Sequence, residues 1–363
     1  MLAAALYHIV YLLVVLGITF FVMQRYATVE FSVREDRATI HNSIAWALTL
    51  FLVFFIGFRP ISGRYFSDMR GYDVNYRALF WGKPFHFTWD TNNIIFDNLF
   101  AFMGSVMIPV ENVFFMLACF YFVGITLACR KLFPKDVLLS LIVYLGAFST
   151  FSYGTNGMKA GVAASVFLLA IAYRENKWLA TTFLLISLGF HHSMTAPVAV
   201  YVICLLVKER EYFLYGWLAC LLMAAFKITV FQELFAGLTD EHGAGYLAVE
   251  GEDKRVSGFR PDFIIYSAVP IFVGNYLIRK FEIEDDDYSF LWKLYTGTNS
   301  IFLLCTYGSF INRIAYLSWL MYPFVLIYPF LNADLGDYHN RYLRYAVYGH
   351  LGFTLFMSFV YYA

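Results

Sequence analysis

Residues 178–207 read WLATTFLLISLGFHHSMTAPVAVYVICLLV, a stretch of thirty residues in which most side chains are apolar. A helix that spans the hydrocarbon core of a bilayer needs about 20 apolar residues, so this stretch is too long for one span. A single helix would also place His191 and His192 in the middle of the bilayer, where ionisable side chains are costly. The stretch therefore predicts two short apolar helices joined by a polar break at residues 189–193.

The rest of the chain has the same apolar character. Hydrophobic residues make up 60% of its 363 residues and charged residues only 14%, whereas about a quarter of the residues of soluble domains are charged. Because a soluble domain cannot cover so much apolar surface, the composition predicts an all-α, polytopic integral membrane protein. With a helix over 159–173, further apolar runs bring the total to about twelve transmembrane helices. These runs lie at residues 2–23, 42–58, 111–129, 137–152, 213–230, 262–278, 292–308, 314–331 and 344–361.

The distribution of lysine and arginine predicts the orientation of these helices. With residues 25–41 in the cytoplasm, every short cytoplasmic turn carries at least two basic residues. Two long loops, at residues 59–110 and 231–261, then lie on the extracytoplasmic face. Residues 90–108 carry too many polar groups to span, which favours an interfacial helix within the first loop. We expect a single membrane domain over residues 1–363 with its polar chemistry at the outer face.

Several classes of function are excluded by what the sequence lacks. Its net charge is zero, and no basic or acidic tail indicates a nucleic-acid partner. The five cysteines lie in or beside apolar runs, without a CxxC pair, and we interpret them as apolar side chains. No Walker loop, GxSxG, HExxH or dinucleotide-binding motif is present. We therefore expect neither a metal nor an organic cofactor.

The first long loop has a composition suited to a phosphorylated sugar. Residues 58–77 read FRPISGRYFSDMRGYDVNYR, in which Arg59 and Arg70 are interleaved with aromatic residues. Arginine forms bidentate contacts with phosphate oxygens, and Tyr72 and Tyr76 offer flat faces and hydroxyls for sugar rings. Asp73 or Asp68 is a candidate base or a residue that orients a sugar hydroxyl. An interfacial loop whose arginines contact lipid headgroups has the same composition, so both interpretations stay open.

On the same face as this loop, four ionisable residues lie at predicted helix ends: Lys159, His191, His192 and Arg313. At least one of the two histidines is a candidate general base, or else both are interfacial histidines that face water. Lys159 begins a helix, where a cation opposes the helix dipole, which favours an anion as its partner or snorkelling to the surface. Arg313 opens a late helix and needs an acid or a phosphate if it is buried. Arg260 is predicted either to bind phosphate or to pair with Asp262.

Together these motifs resemble the EpsG-type family of bacterial membrane proteins, which is similar to the Wzy-type polysaccharide polymerases. The resemblance covers residues 55–330 and depends on the order and spacing of short motifs. They are FR at 58–59, GYDVNY at 71–76, NGMK at 156–159 followed by Ala163-Ala164, FHHS at 190–193, GFRPDF at 258–263, and Arg313. The chain departs from the family pattern at Lys159-Ala160, where an Arg-Gln pair is expected.

The resemblance implies a GT-C-like fold and a glycosyltransferase of the bacterial cytoplasmic (inner) membrane. Such a protein polymerises undecaprenyl-pyrophosphate-linked oligosaccharide repeat units of an O-antigen, capsule or exopolysaccharide, and it needs no nucleotide. It transfers one glycan to a sugar hydroxyl of another unit on the extracytoplasmic face. Membrane lipid and a chain-length regulator are further candidate partners. The candidate ligands of pyrophosphate or sugar are Arg59, Arg70, Tyr72, Tyr76, Lys159, Arg260 and Arg313, and the candidate bases are His191 and Asp73.

Two rival functions stay open. A membrane O-acyltransferase of exported glycan would also use a histidine and arginines near the membrane. It would need a route for an acyl donor from the cytoplasm, for which the short inner loops offer little. A flippase or transporter of the glycan lipid would predict internal repeats and polar residues at mid-bilayer, and the sequence pattern shows neither.

We predict that both long loops face outward. In a chain whose native cysteines are replaced, Ser67→Cys and Ser257→Cys should react with a membrane-impermeant maleimide in intact spheroplasts. Lys135→Cys, in a predicted cytoplasmic turn, should react only after lysis. Protection of both outer positions until lysis would contradict the orientation.

Overall fold

In the computed structural model, the described residues are 2–26, 38–236, 258–308 and 311–361. The regular secondary structure in these ranges is helical, which confirms the all-α class. The chain forms two compact units, one of Met1–His191 with Asp337–Ala363 and the other of His192–Gly336. Most of the second long loop, residues 237–257, lies outside the described residues.

Many helices of both units are short, and several follow one another after brief turns. Those of the first unit are α1 (Tyr7–Tyr26), α2 (Ala38–Gly57), α3 (Ser67–Asn75), α4 (Ile94–Ser105), α5 (Val110–Leu132), α6 (Val137–Leu145), α7 (Thr150–Thr155), α8 (Met158–Ala172), α9 (Lys177–Phe190) and α17 (His339–Phe356). Those of the second are α10 (Thr195–Leu206), α11 (Arg210–Ala225), α12 (Val230–Ala236), α13 (Pro261–Lys280), α14 (Asp286–Leu304), α15 (Ile311–Trp319) and α16 (Tyr322–Asn332).

Within the described ranges, four helical stretches are long and apolar enough to cross a membrane by length and composition. They are Ala4–Gln24, Val110–Leu132, Pro261–Lys280 and Ile311–Asn332. Several other predicted spans are apolar helices of 10–17 residues, which is shorter than the roughly 20 residues of a straight crossing. The count of about twelve spans therefore stays a prediction.

The break predicted within residues 178–207 is present. Helix α9 ends at Phe190, and α10 begins at Thr195 after a short 3₁₀ turn, His192–Met194. The interfacial segment predicted at 90–108 contains α4, which is only 12 residues long. Three of its buried residues, Phe96, Phe100 and Gly104, recur every four residues and so lie on one face of the helix.

Two stretches that the sequence predicts as single helices are broken. Residues 137–152 form α6 and the start of α7, and residues 314–331 form most of α15 and α16. The second break has a local cause, because Pro323 lies in the first turn of α16 and its ring would interrupt a continuous helix.

The first of these breaks is stabilised by side chains from other parts of the unit. The hydroxyls of Tyr11, Thr150 and Thr354 each donate to a carbonyl within residues 143–146 at 2.7 Å. His350 Nε2 lies 3.1 Å from a further carbonyl of the same turn. These groups satisfy the carbonyls that the end of α6 releases, which an apolar surrounding requires.

Small residues allow the helices of the first unit to pack closely. The Cα of Gly124 on α5 faces Ser165 on α8, whose hydroxyl lies 2.9 Å from the position that a Cβ would take. Gly161 on α8 is closer still to α7, since its Cβ would lie 2.6 Å from the Tyr153 carbonyl oxygen. Close approach at small residues is typical of helix packing in membranes.

In the second unit, α14 carries most of the buried polar contacts. Asn299 accepts from Trp217 Nε1 at 2.8 Å and donates to Ser318 Oγ at 2.9 Å, which joins α14 to α11 and α15. Lys293 is buried and donates to the Val207 carbonyl at 2.8 Å, so its ammonium caps the end of α10. A cation at a helix C-terminus is favourable for the helix dipole.

We predict that Gly161→Ala destabilises the protein, because the added Cβ would meet the backbone of α7 rather than a movable side chain. The expected cost is about 1–3 kcal/mol, measured as a lower melting temperature of the purified protein in detergent. The matched control is Gly17→Ala, whose Cβ meets no atom within 4 Å. That control should be neutral or slightly stabilising, since alanine favours helix more than glycine does. Equal melting temperatures for the two variants would contradict the prediction.

Candidate functional site

Most of the predicted site residues lie in the first unit, and Arg260 and Arg313 lie in the second. Within the first unit, the candidates are carried by α3, α8 and the end of α9, together with the turn that follows α2. Helix α4 packs against Lys159 and Tyr72 through Phe96, and against Tyr76 through Phe100.

Arg59 follows α2 and is buried, with 2% of its surface exposed. Its Nη1 donates to the Ile56 carbonyl at 2.7 Å. Its Nη2 donates to the Thr155 carbonyl and lies 3.0 Å from Met158 Sδ. One guanidinium therefore caps the C-terminal ends of α2 and α7, where released carbonyls attract a cation.

The charge of Arg59 has no acidic partner in the part of the chain that the structure describes, since its side chain contacts carbonyls, a sulfur and a ring there. Its Nε is buried without a hydrogen-bond partner. Burial lowers the pKa of Arg59 to about 9, which still leaves the guanidinium protonated at neutral pH. A buried cation whose charge no carboxylate offsets makes the surroundings favourable for an anion.

Two of the candidates meet on the same aromatic ring of α4. Lys159 Nζ lies 6.0 Å from the centroid of Phe96. Tyr72 approaches Phe96 edge-on from α3, with ring centroids 5.6 Å apart, and is 6.0 Å from Phe100. Lys159 and Tyr72 are both half-buried. The geometry thus places an ammonium and a phenol at one partly accessible location.

Tyr76 has a different environment from Tyr72. Its ring is fully buried, and its hydroxyl donates to the Ile108 carbonyl at 2.7 Å. Burial raises the pKa of Tyr76 to about 12. The hydroxyl therefore anchors the short π-helical turn Tyr76–Phe80 to the segment after α4.

Asp73 forms an ion pair that the sequence analysis did not include. Arg77 Nε lies 2.6 Å from Asp73 Oδ1, and its Nη2 lies 3.3 Å from Glu111 Oε1. The hydrogen bond that Arg77 donates to Asp73 raises the pKa of Arg77. Because one carboxylate oxygen is paired, Asp73 can act as a base only through its other oxygen or after the pair opens. The i, i+4 spacing of the two residues is the signal that could have predicted this pair.

His191 caps the end of α9 in an extended conformation, and its backbone N–H donates to the Ser187 carbonyl at 3.1 Å. Ser187 Oγ in turn donates to a carbonyl of α8 at 2.7 Å. Two residues before His191, a Cβ on Gly189 would lie 2.6 Å from Ile95 of α4. The half-buried histidine therefore follows a helix end that packs on both α4 and α8.

The remaining arginines differ in exposure. Arg70 on α3 and Arg313 in the first turn of α15 are exposed. Arg260 is buried, donates from Nε to Asp262 Oδ1 at 2.9 Å, and lies 4.0 Å from the ring centroid of Phe263. Of the two alternatives for Arg260, the pair with Asp262 is the one that forms.

The first loop also contains an ordered aromatic segment before α4. The buried side chain of Asn98 accepts from the Thr88 N–H at 2.9 Å and donates to the Thr88 carbonyl at 2.8 Å. Phe87 and Trp89, on either side of Thr88, are 51% and 80% exposed. One buried amide thus holds the backbone between two exposed aromatic rings. Sequence reasoning missed Asn98, because an Asn within an apolar helix gives no sign of its partner.

A model of the EpsG family matches residues 44–363. The match includes all of the candidate site residues named above. No curated protein and no solved structure matches the chain. The described residues contain no group of three or more His, Cys, Asp or Glu side chains that could hold a metal ion.

We predict that Asn98→Ala loosens the segment before α4, because it removes both hydrogen bonds that hold Thr88. Amide hydrogen exchange of residues 83–93 should become faster, by about tenfold for each 1.4 kcal/mol lost. Asn92→Ala is the matched control, since Asn92 is exposed and its side chain has no hydrogen bond among the described residues. Unchanged exchange in Asn98→Ala would show that the amide does not order this segment.

Proposed function

The chain belongs to the EpsG family, and from this premise we propose that it is a polymerase of undecaprenyl-pyrophosphate-linked oligosaccharide repeat units. Family membership and the apolar helices by themselves indicate a membrane protein of polysaccharide biosynthesis. In the proposal, the protein spans the bacterial cytoplasmic membrane and works on its extracytoplasmic face. It transfers the glycan of one unit to a sugar hydroxyl of another.

The observation that carries the proposal is the concentration of positive charge at the start of α8. Arg59 is buried against this helix end, with its Nη2 3.0 Å from Met158 Sδ. Lys159 lies in the first turn, and a helix N-terminus itself carries partial positive charge. Protein cations usually avoid this position, so an arrangement of this kind suits an anionic ligand. The pyrophosphate of a glycan lipid has that charge.

Each of the groups near the start of α8 has a role in the proposed reaction. The bond between the anomeric carbon and the pyrophosphate oxygen breaks, and a bond to the acceptor oxygen forms. The pyrophosphate leaves with the electron pair, and Lys159, the start of α8 and the exposed Arg70 stabilise its charge. Tyr72 is placed to contact the sugar next to Lys159. In the second unit, the exposed Arg313 and the buried Arg260, which pairs with Asp262, are separate candidates for binding phosphate.

A base must accept the proton of the acceptor hydroxyl, and we propose His191 for this role. Asp73 is the alternative, but Arg77 already occupies one of its oxygens. His191 is half-buried at the break between α9 and α10, and a neutral imidazole can accept a proton near pH 7.

We predict that His191→Ala reduces the long-chain glycan ladder on a gel to single repeats, because a general base contributes about 10²–10⁴-fold in rate. His192→Ala is the matched control and should leave the ladder almost unchanged. Both variants must accumulate in the membrane as the unmodified protein does.

The ladder also separates the proposed function from its rivals. Loss of a polymerase leaves single repeats on the surface, loss of an O-acyltransferase leaves chain length unchanged, and loss of a flippase leaves no surface glycan. A full ladder in cells that lack the protein would contradict polymerisation. Normal ladders in both histidine variants would instead leave Asp73 as the candidate base.

A further inference from the structure

We propose that Arg59 is a positioning residue, which joins α3 to the start of α8, and that it does not itself contact the substrate. The sequence groups Arg59 with the arginines that could bind pyrophosphate, but its surroundings differ from theirs. The identity of the substrate rests on the proposed function, whereas the geometric part of the inference does not.

The donors of Arg59 are not available to a ligand. Only 2% of the residue is exposed. Both terminal nitrogens are engaged by the carbonyls of Ile56 and Thr155, and the Nε is buried. Because the guanidinium is buried, a phosphate could reach it only if the surrounding side chains moved. Arg59 can therefore act on a ligand through its charge and through the residues that it holds.

On one side, Arg59 holds the turn between α7 and α8. It contacts the last residue of α7, Thr155, and the first residue of α8, Met158. These two contacts bracket residues 156–157, where the chain changes direction. Lys159 follows Met158 directly, so the direction of its side chain depends on this turn.

On the other side, Arg59 holds the beginning of α3. Its guanidinium carbon lies 5.4 Å from the ring centroid of Phe66, the residue that precedes α3. Phe66 is buried and packs edge-on against Tyr7, with ring centroids 6.1 Å apart. Helix α3 carries Arg70, Tyr72 and Asp73. The positions of these three residues therefore depend on the position of Phe66.

The two sides meet again at Phe96, where Lys159 and Tyr72 both contact the ring. A shift of either α3 or α8 would separate this pair. The guanidinium suits the task because its planar fork presents donors in several directions at once, which the single ammonium of a lysine does not. Arg59→Lys keeps the charge but loses the simultaneous contacts.

The first test does not depend on activity. In full-length protein without native cysteines, Lys159→Cys is labelled with a maleimide in detergent, with and without Arg59→Lys. We expect a clear change in labelling rate, because the turn before residue 159 loses its fixed point. The matched control is Lys293→Gln, which removes a buried cation that caps α10 in the second unit. It should lower the melting temperature but leave the labelling rate of Lys159→Cys unchanged.

The second test is a double-mutant cycle on polymerisation by the purified protein. Arg59→Lys should reduce the rate by about 100-fold, as expected for a misplacement of about 1 Å. In the presence of Lys159→Ala, the further loss from Arg59→Lys should fall below about threefold, because coupled residues do not act additively. Lys293→Gln should be additive with Lys159→Ala.

The outcomes separate the inference from the proposed function. Labelling that is unchanged by Arg59→Lys, or changed equally by Lys293→Gln, would overturn the positioning role whatever the activity. Additive losses of rate for Arg59→Lys and Lys159→Ala would also overturn it. If Arg59→Lys changes the labelling rate but the unmodified protein has no polymerase activity, the positioning role is supported and the proposed function is refuted. If Arg59→Lys does not accumulate, Met158→Leu removes one of its acceptors at similar volume and should change labelling in the same direction.

Discussion

A backbone carbonyl at a helix break needs a new hydrogen-bond donor, because little water is present to supply one. The chain contains several such breaks, and side chains donate to the carbonyls at four helix ends. Arg59 donates to the ends of α2 and α7. Lys293 donates to the end of α10, and the hydroxyls of Tyr11, Thr150 and Thr354 donate to the end of α6. Buried polar residues of this protein therefore serve helix ends in both units.

The same breaks create the groups that chemistry requires. A continuous apolar helix offers neither free N–H groups nor a side chain at its end, whereas the turn before α8 exposes a helix N-terminus next to Lys159. The break after α9 likewise leaves His191 in an extended conformation, with its backbone tied to the helix and its side chain half-buried. Arg59 links these two roles, because the contacts that satisfy carbonyls also determine where Lys159 lies.

The sequence predicted those structural features whose causes lie within a short segment of the chain. The apolar runs predicted helices, and the adjacent histidines predicted the break between α9 and α10, since both signals lie within the segment concerned. The break within residues 137–152 was missed, because that run is apolar throughout and most of its stabilising donors come from α1 and α17. The burial of Arg59 was missed for the same reason, since Thr155 and Met158 are 96 and 99 residues away. The pair of Arg260 with Asp262, two residues apart, was among the alternatives.

The environment of Arg59 also suits a lysine at position 159, where the resemblance described in the sequence analysis leads us to expect arginine. An arginine at position 159 would be useful if its guanidinium had to bind backbone carbonyls and a ligand at the same time. Here Arg59 already binds the Thr155 carbonyl at the end of α7. In the proposed site, Lys159 therefore supplies a single positive charge beside the ring of Phe96. An ammonium on a flexible stem can do so, because attraction to a pyrophosphate depends on charge and distance more than on a fixed fork. In the proposed anion site, a buried arginine fixes the backbone at a helix break and a half-buried lysine supplies a positive charge.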